Sequence, residues 1–228
     1  NFVQKAGAQR RAAELGLALI TPDTSPRGDY VPTDPAGQWD FGFGAGFYVD
    51  AEQEPWSRHY RMHSFVLEEL PSRLCSALPL DVQRLGLSGH SMGGHGALVL
   101  GLRHPDRYRS VSAVASISHP SQCPWGQKAF GYFFGTTPEA QLRWRQWDAV
   151  ALLEDGYHRE DQLLVDLGSA DPFLQEQLRP DDLSLAAANH HQPLALFIHE
   201  GYDHSYFFVA SVIDRHLEHH AKALGLLS

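Results

Sequence analysis

Residues 83–103 read QRLGLSGHSMGGHGALVLGLR, and this stretch decides the fold. Its pattern predicts a strand over 83–88 and a helix from Met92 to about Arg103. Between them Gly89-His90-Ser91-Met92-Gly93 fits G-x-S-x-G. A strand-to-helix turn of this kind strains the serine backbone and holds the hydroxyl clear of the sheet. It also sets that oxygen at a helix N-terminus, whose dipole favours developing negative charge. Gly89 and Gly93 are expected to remove side chains that would clash in the turn. A chance match in a glycine-rich turn needs no such context. The preceding strand and the small residues that follow (Gly93, Gly94, Gly96, Ala97) make Ser91 the candidate nucleophile.

Outward from this turn, helical and strand patterns alternate. Helices are predicted over 2–16, ending at Gly16 as a C-cap, over 59–78 with Pro71 kinking it or marking a new start, over 180–190, and from 205 onward. Short apolar runs at 17–21 (LALIT), 110–116, 162–167 and 194–199 bring the expected strands to five. Alternation of this kind predicts an α/β fold with a mostly parallel sheet flanked by helices. Residues 22–58 are rich in proline and glycine and cannot be one regular element; ordered loops of that length tend to be functional. No repeat or linker divides the chain, so residues 1–228 read as a single domain. Residues 117–160 form an irregular, aromatic-rich insertion with short helices near the site.

A serine needs a base to attack at neutral pH, and in a turn of this type the partners follow in the order Ser, acid, His. Fourteen histidines are available. His199 falls at a strand end, His190 and His191 at a helix end, and His216, His219 and His220 on the last helix, read as a solvated face. His204, in Gly201-Tyr202-Asp203-His204-Ser205, lies between the last strand and the last helix, where a base belongs; otherwise it is a neighbour of a helix cap. Asp171 follows strand 162–167 across Gly168-Ser169-Ala170 and can orient an imidazole; otherwise it caps the next helix. Asp166 sits inside the strand, Asp203 is too close to His204, and Asp155 and Asp161 precede the strand.

The chain carries 18 basic and 27 acidic residues, a formal charge of −9. That balance argues against nucleic-acid binding, which needs a cationic face. With 43% hydrophobic and 20% charged residues there is ample material for a core. No apolar run approaches a membrane span of about 18 residues. Two cysteines suggest no disulfide framework and fit a reducing compartment. Cys75 reads as a core filler on a helix face, and Cys123 as a pocket residue beside Trp125. The glycines of 42–46 lack the Lys-Ser/Thr of a phosphate loop and read as a conformationally special loop near the site. No metal-ligand spacing is present, so no metal site is expected.

PDTSPRG (22–28), GAGFYVDA (44–51), LSGHSMGGHGAL (87–98), CPWGQKAF (123–130), DLGSADPFL (166–174) and EGYDHSYFF (200–208) resemble the S-formylglutathione hydrolases, or esterase D family. The resemblance covers nearly the whole chain. It implies an α/β-hydrolase that cleaves S-formylglutathione to glutathione and formate in formaldehyde detoxification, cleaves short-chain esters, and uses no cofactor. It makes Ser91 the nucleophile, His204 the base and Asp171 the orienting acid, with the Met92 N–H as one oxyanion donor. Trp125 and Lys128 fall in a family motif near the substrate, as candidate substrate-binding residues. A cytoplasmic enzyme and a homodimer are also expected. A general short-chain carboxylesterase or acyltransferase of the same superfamily is the nearest competing expectation, and a non-catalytic remnant the next. The chain opens on Asn1, inside what resembles the first helix. Three earlier strands, on the order of 40–60 residues, are therefore expected upstream. The loop with the second oxyanion donor would come with them. The chain alone is expected to be poorly stable and weakly active.

Overall fold

The computed structural model describes residues 1–227, with every side chain in that range except that of Cys75. The expectation for Cys75 therefore lies outside what is described. Four parallel strands form one sheet in the order β1 (Gly86–His90), β2 (Ser110–Val114), β3 (Leu163–Gly168), β4 (Leu194–His199). Parallel neighbours need a crossover, and helices supply each one. In chain order the helices are α1 (Phe2–Lys5), α2 (Ala8–Leu15), α3 (Met62–Ser64), α4 (Leu70–Ala77), α5 (Met92–Arg103), α6 (Pro124–Phe134), α7 (Pro138–Trp144), α8 (Ala149–Glu154), α9 (Pro180–Asn189) and α10 (Tyr206–Ala223). Helix α5 packs on β1 and β2 and continues the layer through α8 to α9. Helix α10 covers the opposite face, and α2 packs against the outside of α10. β2 and β3 are buried along their whole length, as strands covered on both faces must be.

Close approach of α5 to the sheet depends on glycine. A Cβ on Gly94 would lie 2.7 Å from the Ser116 Cβ, and one on Gly101 would lie 2.3 Å from the Val111 Cγ2.

Several expectations need correction. Residues 17–21 are not a strand: no described residue pairs with them, and Leu19 and Ile20 stand in solvent. An apolar run becomes a strand only where a neighbour satisfies its N–H and C=O groups. The helix expected over 2–16 is broken at Gly7, which has φ 71°; Gly16 caps it as expected, at φ 71°. The helix over 59–78 is regular only in part, with a wide π turn over Phe65–Glu69 between α3 and α4.

His216 and His220 do not face solvent; both are buried between α10 and the sheet. His220 Nδ1 and Nε2 lie 2.6 and 2.8 Å from the Ser110 and Ser112 hydroxyls. His216 Nε2 lies 2.8 Å from Asp166 Oδ2, and Arg215 reaches the same carboxylate. Small residues on β1 and β2 make room for them: a Cβ on Gly86 would lie 2.6 Å from His220 Nδ1.

Residues 22–58 follow no ladder, yet they are ordered by their aromatics. Phe41 and Phe47, with Tyr60 just beyond the segment, are fully buried against residues 117–160, with Phe41 5.0 Å from Phe133 and 4.7 Å from Tyr132. Each such ring contributes roughly 1.5–3 kcal/mol by burial. The insertion itself is largely helical, through α6, α7 and α8.

Candidate active site

In open parallel sheets, ligand sites form beyond the carboxyl ends of the strands, and the candidate side chains converge there. Ser91 immediately follows β1, with φ 59° and ψ −119°, a conformation that L residues rarely hold. Its N–H donates to the Val114 carbonyl at 2.9 Å, which ties the strained residue to the end of β2. Gly89 is indispensable to this turn: a Cβ there would sit 2.0 Å from the Gly93 carbonyl oxygen. Gly93 differs from expectation, because a Cβ on it meets nothing within 4 Å. The turn needs the Gly93 backbone close to Gly89, not a bare Cα at 93.

Asp171 and His204 are brought together by stitching between the loops after β3 and β4. Ser169 N–H donates to the His199 carbonyl (2.9 Å), Ala170 N–H to the Tyr202 carbonyl (3.0 Å), and Gly201 N–H to the Ser169 hydroxyl (2.9 Å). A Cβ on Gly168 would lie 2.1 Å from the Tyr202 carbonyl oxygen, so the crossing requires glycine. The Asp171 carboxylate is buried; it accepts the Phe173 N–H at 2.9 Å and faces His204 Nδ1 at 2.6 Å. A carboxylate only accepts, so Nδ1 carries the proton and Nε2 is left as the acceptor. Nε2 lies 3.0 Å from the Ser91 Oγ. The result is an O–H···N, N–H···O line of the kind that activates a serine.

Around His204 sit two rings that sequence reasoning missed. The Phe173 edge meets it at 5.1 Å and 89°, and the His90 ring lies 4.7 Å away. Burial, and then the neighbouring His204, push the His90 imidazole down to about 4, so it packs as a neutral ring. Phe173 lies two residues past Asp171 and His90 directly before Ser91, and that adjacency was the available signal.

Met92 opens α5, so its N–H has no acceptor within the helix and carries the positive end of the helix dipole. Its thioether sulfur lies 3.3 Å from the Phe47 N, whose carbonyl in turn faces His95 Nε2 at 2.8 Å. Phe47, the residue after the glycines of 42–46, thus docks on the turn that carries Ser91.

Trp125, in the first turn of α6, packs 4.7 Å from Phe173. Lys128 is already engaged: its ammonium lies 2.7 Å from Asp34 Oδ2 and 2.5 Å from Asp40 Oδ1, and it holds the Asp34 carboxyl below the usual range. Cys123 is buried, and burial pushes its thiol up to about 11.

The chain as a whole is similar to known proteins. Residues 1–219 match the Esterase family, described as "Putative esterase". S-formylglutathione hydrolase of Rattus norvegicus is 47% identical over 226 residues, 99% of this chain and 79% of that protein. The Bos taurus enzyme of that name is 45% identical over the same shares. The chain belongs to the S-formylglutathione hydrolase family. A solved member from Agrobacterium tumefaciens superposes with a TM-score of 0.94 at 44% identity, over 99% of this chain and 79% of that one. The fold extends further, to a Staphylococcus aureus fluorophosphonate-binding serine hydrolase at TM-score 0.71 and 17% identity. Among the described residues, no helix is long and apolar enough to cross a membrane.

Proposed function

We propose that this chain is a serine thioesterase that hydrolyses S-formylglutathione to glutathione and formate, the chemistry of formaldehyde detoxification, and that it also cleaves short-chain esters. The observation that carries the reading is the Ser91–His204–Asp171 hydrogen-bonded line, with contacts of 3.0 and 2.6 Å, in a chain of this family.

Ser91 Oγ attacks the formyl carbonyl carbon while His204 Nε2 takes its proton. Asp171 holds the imidazole in the required tautomer and offsets the imidazolium charge. The carbonyl oxygen becomes an oxyanion against the Met92 N–H. One such donor contributes on the order of 10²–10³ in rate. Collapse breaks the C–S bond, and His204 returns its proton to the departing sulfur. A water then repeats the sequence on the formyl-serine, releasing formate and restoring Ser91. Trp125 and Phe173 bound the substrate side of the site, and Lys128 acts by fixing the loop that faces them. The two cysteines and the chain's composition support a cytoplasmic setting, and the family resemblance supports a homodimer.

Turnover of S-formylglutathione compared with p-nitrophenyl acetate tests the assignment. The thioester is expected to give the higher kcat/KM, and Ser91→Ala to lose at least about 10⁴-fold on both while keeping the native circular dichroism. A strong preference for the ester, or retained activity in Ser91→Ala, overturns it.

A further inference from the structure

Trp39 is an anomaly of packing. The residue is 69% exposed, although burial of an indole is strongly favourable and the chain has aromatic clusters to receive one. Its exposure is not looseness. Asp34 accepts the N–H groups of Ala36 and Gln38, each at 3.0 Å, and Lys128 bridges Asp34 to Asp40, the residue that follows Trp39. Both chain neighbours of Trp39 are thus held in one side-chain clamp, and the indole stands in solvent on a fixed base.

That base aims the ring at the site. Trp39 meets Trp125 edge-on at 5.3 Å, Trp125 meets Phe173 at 4.7 Å, and Phe173 meets His204 at 5.1 Å. The four rings form one continuous wall that starts on the base and ends in solvent. His204 must deliver its proton to the leaving group, so the departing sulfur lies beside this imidazole. A wall that begins there follows the thiol side of the substrate, not the formyl group, which is too small to reach past Phe173.

We propose that Trp39 is a specificity-determining residue that reads the thiol portion of the substrate, its exposed face stacking on the flat amide groups of a peptide thiol. This rests on the thioesterase reading above and adds the surface that recognises the leaving group. Remote contacts of this kind select between leaving groups that carry the same acyl group.

The test compares S-formylglutathione with ethyl formate, which shares the formyl group and lacks an extended leaving group. Trp39→Ala is expected to lower kcat/KM for S-formylglutathione relative to ethyl formate by on the order of 10-fold, and Trp39→Phe to restore most of it. Equal losses on both substrates would mean a structural role and overturn the proposal, as would no change on either. A wild-type enzyme that turns over ethyl formate but not S-formylglutathione overturns the thioesterase reading, and this one with it. That result is distinct from an active thioesterase indifferent to Trp39.

Discussion

Ser91 at φ 59° and ψ −119° carries a backbone strain of about 1–3 kcal/mol, and the surroundings must hold it there. They do so through the Ser91 N–H to the Val114 carbonyl and through the close Gly89–Gly93 crossing. The two glycines of G-x-S-x-G look equivalent in sequence, yet their surroundings separate them. Gly89→Ala places a methyl 2.0 Å from a backbone oxygen, so the turn itself must move. The expected cost is at or above the upper end of the roughly 1–3 kcal/mol usual for overpacking. Gly93→Ala meets open space in the first turn of α5, where alanine is favoured over glycine by at most about 1 kcal/mol. Urea unfolding of the two variants should therefore give opposite signs relative to wild type. Equal destabilisation by both would show that the crossing does not hold the turn as described.

At the scale of elements, α10 and the serines of β1 and β2 show what was readable and what was not. The helix and its apolar face at Val209, Val212, Ile213 and Leu217 follow from periodicity. His216 and His220 fall on the same face by the same spacing, but a histidine at a helix surface reads by default as solvated. What reverses that is the partner element: Ser88, Ser110 and Ser112 point at the helix from neighbouring strands, a pairing visible only once the register Gly86↔Ser110 and Ser88↔Ser112 is known. Burial, then the repulsion of His219 and His216, pushes His220 down to about 3. An unfolded histidine titrates near 6.5. Between those values the unfolded chain binds the proton and the folded one does not. The stability is therefore complete above pH 6.5 and is lost as pH falls towards 3, at up to about 1.4 kcal/mol per pH unit. His220→Gln retains groups able to bond both serines and removes the titration. Its melting temperature should fall less steeply than that of wild type from pH 6.5 to 4; parallel slopes would contradict a neutral buried His220.

Across the whole molecule, the alternating βα units were legible because their contacts are local and periodic. The order Ser91, Asp171, His204 was legible because each residue sits just beyond a recognisable strand. The 22–58 segment and the aromatic wall were not. They are held by pairs such as Asp34–Lys128 and Asp40–Lys128, 94 and 88 residues apart in sequence, which leave no period to read. Trp125 and Lys128 could be marked as a motif, but not that Lys128 faces two carboxylates of a distant loop. This division has a thermodynamic consequence. The sheet layers should unfold as one cooperative unit, whereas a long loop fixed by a few side chains can open on its own. Lys128→Ala leaves the Asp34 carboxylate, whose side chain is 1% exposed, with two backbone N–H partners and no cation. That weakens the loop's closed state. The expected result is faster tryptic cleavage at Arg27 and Arg58, by on the order of 10-fold or more where cleavage follows the open population. The global urea midpoint should move much less. If the midpoint falls in proportion to the gain in cleavage, the loop and the sheet are one unit, and the clamp secures the whole fold and not the wall beside His204.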